Sequence, residues 1–278
     1  MVDAHVHIFP PQMIADRAAY LGRDARFDEI YASPEACMAT GDDVVAHMQA
    51  DGVDVSVVTG FPFSDQGLCR EINDYVIEQT RSRAGRLVGL ACVAPGRPGA
   101  QAELERCLEA GLVGCGELAP VSFTAVRESR SGADGYDAIA GCLRERGLPL
   151  LVHASEPVGH HYPGKGRFVP EDCLALAEAY AGLTIVFAHM GGGLFLFESM
   201  PEVRAALRDV HYDTAAVPYL YGAEVYEAAV SCAGPQKLIL GSDYPLLPVS
   251  RYRDALARLS PPVRLAIEGD NARRVYGI

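Results

Sequence analysis

From Asp42 to the C-terminus the chain repeats one unit: a segment whose apolar residues recur at helical spacing, then a short, unbroken apolar run. Asp43 to Ala50 leads into Val53 to Thr59. Leu68, Ile72, Tyr75 and Val76 form a stripe before Leu87 to Ala94, and Leu104, Cys107 and Leu108 precede Gly114 to Leu118. Tyr136, Ile139 and Leu143 come before Leu150 to His153, a strand that Pro149 can open because a missing N–H matters least there. A helix with Pro170 in its first turn, followed by Glu171 and Asp172, precedes Leu183 to Ala188. Val210 to Thr214 and Lys237 to Gly241 continue the series, and Val2 to Phe9 supplies a strand at the start. Eight strands alternating with helices, at roughly 30 to 35 residues per unit, suit an α/β fold closed as a (β/α)8 TIM barrel of ~250 residues. Runs that are apolar throughout are what strands buried on both faces require. A doubly wound open sheet competes, but no Gly-x-Gly-x-x-Gly follows the first strand.

Of the 278 residues, 49% are hydrophobic, enough for a large core, and no Gly/Ser/Pro linker divides the chain, so residues 1–278 are expected as one domain. Residues 10–41, which hold Pro10, Pro11, Pro34 and Gly41, are long for a loop. Such segments are functional or carry short helices of their own, and a lid insertion is expected. A formal charge of −12 argues against a nucleic acid or an anionic membrane as partner, since the mean field repels both. The eight cysteines are scattered without a Cys-x-x-Cys, as small buried hydrophobes of a reducing compartment. The start of the chain lacks the basic and apolar blocks of a signal peptide, and a cytoplasmic protein is expected. The partner is then a small-molecule substrate, with a homodimer as one open form of assembly.

The chemistry sits at the strand ends. In Asp3-Ala4-His5-Val6-His7 the two histidines lie two apart on a strand, so they share a face at about 7 Å and can converge on one ion. Glu117, His153, His189 and Asp243 stand at or just past the ends of the fourth, fifth, sixth and eighth strands. In a barrel those ends meet on one rim, where catalytic groups are placed. Taken singly, His153 or His189 reads as a hydrogen-bonded core histidine and Asp243 as a turn residue; together they read as a metal site. Imidazoles and carboxylates of this kind suit zinc first, with manganese, iron or cobalt admitted by the same ligands. A coordinated water acidified towards neutrality becomes a usable hydroxide, with Asp243 accepting a proton and His189 polarising or protonating the substrate. The loop after strand five gathers His160, His161, Tyr162, Lys165 and Arg167, and reads as a strip for an anionic substrate group. Phe61 and Phe63 read as a pocket wall. His47 reads as a surface residue of an amphipathic helix, and Asp213 as a substrate contact or a turn cap.

Val2-Asp3-Ala4-His5-Val6-His7, the stretch from Met48 to Val58, Leu151-Val152-His153, Phe187-Ala188-His189-Met190-Gly191-Gly192, Gly241-Ser242-Asp243-Tyr244-Pro245 and the ending Gly269 to Gly277 together resemble the amidohydrolase superfamily of metal-dependent barrels. More narrowly they resemble the branch of aminocarboxymuconate-semialdehyde decarboxylase and the resorcylate decarboxylases. The resemblance implies His5, His7, His153 and Asp243 as ligands of one divalent ion, with His189 beside the reacting group. Glu117 departs from that branch. It resembles the strand-four glutamate of TatD-type deoxyribonucleases, where a carboxylate can bridge two metals, so one ion is expected but two are the rival count.

The first functional expectation is a metal-dependent hydrolase acting on a small, anionic organic substrate through metal-bound hydroxide. The second is a non-oxidative decarboxylase of an aromatic or unsaturated carboxylate, and the third a metal-binding barrel without turnover. Substrate and metal are not legible in the sequence.

Overall fold

The structure is a computed structural model that describes residues 1–128, 130 and 134–278. Eight strands appear in the expected order: β1 Val2–His7, β2 Val55–Thr59, β3 Leu87–Gly89, β4 Cys115–Leu118, β5 Leu150–Val152, β6 Ile185–Phe187, β7 Val210–Asp213 and β8 Leu238–Ile239. Sequential neighbours pair in parallel as two arcs, β1–β2–β3 and β4–β5–β6–β7–β8. Backbone bonds beyond the strand ends join the arcs. Ala91 bridges Cys115 on one side, with Gly116 N–H donating to the Ala91 carbonyl at 2.8 Å. On the other side Val6 bridges Tyr244, His7 N–H donates to the Tyr244 carbonyl at 2.7 Å, and Asp243 N–H donates to the His5 carbonyl at 2.9 Å. The ring is a (β/α)8 barrel.

Several strands are shorter than their apolar runs, because apolarity reports burial and not ladder pairing. Beyond β3, Leu90 to Ala94 stay buried. Beyond β8, Leu240 is buried while its N–H donates to Ile267 in the C-terminal region.

Alternate strand residues fill two compartments. Val2, Ala4, Val57, Leu151, Val186 and Ile239 pack together with Ala272 and Tyr276 of the last helix as the barrel interior. Val6, Val58, Leu150, Val152, Ile185 and Phe187 pack with the surrounding helices. Two strands break this alternation: β1 shifts register between Asp3 and Val6, and β4 between Cys115 and Leu118. Such irregularities re-aim side chains. In β1 the interior passes from the even residues Val2 and Ala4 to the odd residues His5 and His7, and in β4 the shift brings Glu117 inside although Cys115 packs outside.

Residues 10–41 hold α1 (Pro11–Ala15), a 3-10 turn at Arg17–Ala19 and α2 (Ala25–Tyr31). Asp24 caps α2 by accepting from Arg26 N–H and Phe27 N–H, while its other oxygen accepts from Ser64 N–H and Oγ. Met13, Phe27 and Tyr31 are buried against Phe9, Phe61, Phe63, Leu68 and Ile72. The segment is therefore a docked cover over the β1 and β2 ends. α3 (Gly41–Asp51) follows, opened by a Thr40–Asp43 capping box and closed by left-handed Gly52. His47 on α3 is buried, not superficial: its ring stacks on Tyr244 with centroids 4.2 Å apart. The helix had to bury that face because the loop carrying Asp243 lies on it. Among the described residues no helix is long and apolar enough to cross a membrane.

Candidate metal centre

The rim brings His5, His7, Glu117, His153, His189 and Asp243 together. Glu117 is central, and its two oxygens face different pairs of imidazoles. Oε2 lies 3.9 Å from His5 Nε2 and 3.6 Å from His7 Nε2. Oε1 lies 2.9 Å from His153 Nδ1 and 3.5 Å from His189 Nε2. Within the pairs, His5 Nε2 and His7 Nε2 are 3.1 Å apart, and so are His189 Nε2 and His153 Nδ1. Asp243 Oδ1 stands beside the first pair, at 3.7 Å from His5 and 3.4 Å from His7. Two triads that could hold a cation thus share one carboxylate: His5, His7 and Glu117, and Glu117, His153 and His189.

The far side of each ring tests whether a cation fits. A carbonyl or carboxylate only accepts, so a ring nitrogen facing one must carry the proton. His7 Nδ1 meets the Gly60 carbonyl at 2.6 Å, His189 Nδ1 the Ala215 carbonyl at 2.9 Å, and His5 Nδ1 the Asp213 carboxylate at 2.7 Å. All three neutral rings therefore turn an Nε2 lone pair inward. His153 is reversed: Nε2 faces Ser155 Oγ at 3.1 Å, that hydroxyl also accepts Gly166 N–H at 2.9 Å, and Nδ1 faces the centre. Lone pairs 3.1 Å apart, with two carboxylates against them, repel unless a proton or a cation lies between them. The donor set fits a divalent ion of the zinc or manganese kind.

Without a cation, protons take its place. Burial pulls the His5 pKa down, but Asp213 at contact and then Glu117 and Asp243 push it up to about 10. His189 is raised to about 9, Glu117, Asp243 and Asp213 outweighing its burial. His153 goes the other way, to about 4, through burial and then the positive charge of Arg26. Glu117 and Asp243 are held below the usual carboxylate range, the surrounding imidazoles overcoming their desolvation. A metal ion held by His5 and His7 would displace the proton of His5.

Local backbone sets these positions. Gly116 sits at φ +132°, and a Cβ there would meet the Leu151 carbonyl oxygen at 2.3 Å, so only glycine lets Glu117 approach β5. Gly192, at φ +60°, would place a Cβ 2.2 Å from the Ser155 carbonyl oxygen, so glycine there lets the β5 and β6 loops pack closely. His189 and Asp243 themselves adopt left-handed φ of 56° and 64°, uncommon for side-chain-bearing residues and typical of functional sites.

The structure redistributes the other expected site residues. The resemblance sets His153 with His5, His7 and Asp243, and the two-ion alternative sets it with His189 across Glu117; in the structure it stands against Glu117 and His189, its ring turned by Ser155. The anionic strip after β5 is largely engaged with itself. Lys165 Nζ donates to the Val158 and His160 carbonyls, and Tyr162 donates to Glu156 at 3.0 Å. His160, His161 and Arg167 are exposed. A loop this rich in glycine and proline folds back far enough to satisfy its own cation, which composition could not reveal. Phe61 is buried in the aromatic cluster beneath the cover, in edge contact with Phe27 and Tyr31. Sequence reasoning gave Asp213 no metal-centre role. Its Oδ2 orients His5, and its Oδ1 accepts His189 N–H and Ala215 N–H, each at 3.0 Å. A carboxylate ending a barrel strand was the available signal. Arg26 and Tyr31, on the cover, had none.

The Amidohydrolase family model matches residues 2–278. The chain belongs to the amidohydrolase family. No curated protein sequence matches it. Among solved structures this amidohydrolase is similar to a 5-carboxyvanillate decarboxylase from Sphingomonas paucimobilis, with 18% identity, a TM-score of 0.77 and coverage of 100% of this chain and 99% of that one. It is similar also to a 2,6-dihydroxybenzoate decarboxylase complexed with 2,6-dihydroxybenzoate, with 19% identity, a TM-score of 0.72 and the same coverage. A third is a dihydroxybenzoic acid decarboxylase from Polaromonas sp. JS666 with bound manganese and 2-nitroresorcinol, with 17% identity, a TM-score of 0.70 and coverage of 99% and 96%.

Proposed function

We propose that this amidohydrolase is a metal-dependent, non-oxidative decarboxylase of a small aromatic or unsaturated carboxylic acid. The observation that carries the reading is a centre of four imidazoles and two carboxylates on a barrel that resembles three such decarboxylases over its whole length. Decarboxylation replaces hydrolysis as the first reading on that ground, and manganese joins zinc as the candidate ion. His5, His7, Glu117 and Asp243 would hold it. The ion would supply Lewis-acid charge neutralisation for a bound carboxylate.

The chain's own part is to hold the substrate and move one proton. His189, fixed by Ala215 and Asp213, directs Nε2 into the centre. As the bond between the carbon and its carboxylate breaks, the electron pair stays on that carbon and takes the His189 proton, carbon dioxide leaves, and solvent returns the proton to the ring.

Hydrolysis is the second reading, favoured by the second triad. Two ions at the ~3.5 to 4 Å of binuclear hydrolytic sites need a shared anionic ligand, a role suited to Glu117 with one oxygen towards each pair. That arrangement takes His189 as a ligand and leaves it no proton to give. Trapped carbon dioxide from a panel of aromatic and unsaturated carboxylates, set against hydrolysis of esters and lactones, tests the choice in metal-loaded protein. Carbon dioxide release with one ion per chain is expected; ester or lactone cleavage with two overturns it, and inactivity on both panels leaves a binding barrel.

A further inference from the structure

The register of β4 against β5 skips from Cys115 to Leu118, so the Gly116 carbonyl and the Glu117 N–H fall between the paired residues. Both belong to a strand that is buried throughout, and buried backbone groups must find partners. Here one hydroxyl serves both. Thr59, the last residue of β2, donates its Oγ1 proton to the Gly116 carbonyl and accepts Glu117 N–H at 3.1 Å. Its side chain crosses the end of β3 to do so, where Cys92 Sγ lies 3.3 Å from the hydroxyl oxygen. Thr59 and Cys92 are both buried, so these bonds are shielded from solvent.

The residue beside Thr59 acts on the same triad. The Gly60 carbonyl takes the Nδ1 proton of His7 at 2.6 Å, while the Thr59 carbonyl accepts Ile8 N–H at 2.9 Å. Two consecutive residues at the end of β2 thus hold two members of the first triad, His7 by its ring and Glu117 by its backbone. What the Thr59 hydroxyl fixes is the peptide from which the Glu117 side chain departs. That peptide has to be fixed, because ligand distances in a metal site hold to about 0.2 Å. Glu117 Oε2 faces His5 and His7 while Oε1 stands 2.9 Å from His153 Nδ1, and a swing of the Gly116–Glu117 peptide would move both oxygens together. The ladder that ordinarily prevents such a swing is broken at this point. An apolar side chain of the same shape would fill the space at position 59 as well; only the hydroxyl answers the two backbone groups.

We infer that Thr59 is a positioning residue of the metal centre: its hydroxyl locks the Gly116–Glu117 peptide and so aims the shared carboxylate at the cation. The inference rests on the centre holding a divalent ion, as the proposed function does, and not on the reaction.

Zinc affinity measured against a chromophoric chelator, together with the rise in melting temperature at saturating zinc, tests it in Thr59→Val, Thr59→Ser and Cys92→Ala proteins. Thr59→Val keeps the shape and loses the hydroxyl; it should weaken zinc binding by about tenfold or more and shrink the zinc-induced rise accordingly. Thr59→Ser keeps the hydroxyl and Cys92→Ala leaves both of its backbone bonds, so each should bind zinc as the natural protein does. A role in folding alone would lower the melting temperature of metal-free and zinc-loaded Thr59→Val protein equally and leave the affinity unchanged, which overturns the inference. A tenfold loss in Thr59→Ser or Cys92→Ala protein overturns it too, since packing and not the hydroxyl would then be at fault; this arm stands even where Thr59→Val fails to fold. A natural protein that takes up neither zinc nor manganese overturns the inference and the proposed function together. Zinc uptake that depends on the Thr59 hydroxyl, without carbon dioxide release from any acid, supports the inference and removes the proposed reaction alone.

Discussion

Asp213 does the work of two residues. One oxygen fixes the His5 ring and the other the backbone of His189, so a carboxylate that faces neither triad orients one histidine of each. Partners of this kind fix tautomer and raise ligand basicity, and their loss typically costs 10–100-fold in metal affinity. Asp213→Asn preserves shape and removes the charge. Metal titration against a competing chelator should show affinity falling by roughly that factor, with the far-ultraviolet circular dichroism unchanged. Unchanged affinity would reduce Asp213 to a strand-end hydrogen bond.

Among the elements, the cover formed by residues 10–41 has the least sequence signal and an unexpectedly firm seat. Phe27 is fully buried, with Phe61 at 5.6 Å edge-on and Tyr31 and Phe63 at 4.9 and 5.6 Å. Truncation of such a side chain costs about 3–5 kcal/mol through lost transfer and the cavity left behind. Phe27→Ala should lower the urea midpoint accordingly. A loss below about 1 kcal/mol would mean that the cover folds and unfolds apart from the barrel. The register shifts in β1 and β4 belong to the same scale: without them His5, His7 and Glu117 would point at the helices.

At the scale of the whole molecule, His211 sets an acid limit that is independent of the metal centre. It lies on β7, on the same strand face as Asp213, with Nδ1 buried and unpartnered, and burial followed by the charges of Arg274 and Lys237 lowers its pKa to about 4. An unfolded histidine titrates near 6.5, so below that pH the unfolded chain takes up a proton that the folded chain refuses. The stability is fully present above about pH 6.5 and is lost as the pH falls towards 4, to the extent of roughly 3 kcal/mol. His211→Asn should flatten that part of the pH profile when urea midpoints at pH 7 and 4.5 are compared. A parallel fall in both proteins would show that His211 is solvated when folded.

The eight-unit alternation, the barrel and the six rim residues were legible in the sequence, because helical spacing, apolar runs and strand-end position are local properties that any chain with this pattern must satisfy. The resemblance of the motifs pointed to the amidohydrolase family for the same reason: His5-Val6-His7 and Gly241-Ser242-Asp243 keep their chemistry wherever the strands carry them. Local pattern could not say which ring nitrogen faces inward, since that depends on the Gly60 and Ala215 carbonyls, the Asp213 carboxylate and Ser155, each supplied by another part of the chain. Nor could it show that Ser155 turns the His153 ring or that Lys165 bonds within its own loop. Those outcomes are set by which hydrogen-bond partners distant parts of the chain bring to a shared rim, and only the closed barrel with its cover in place decides that.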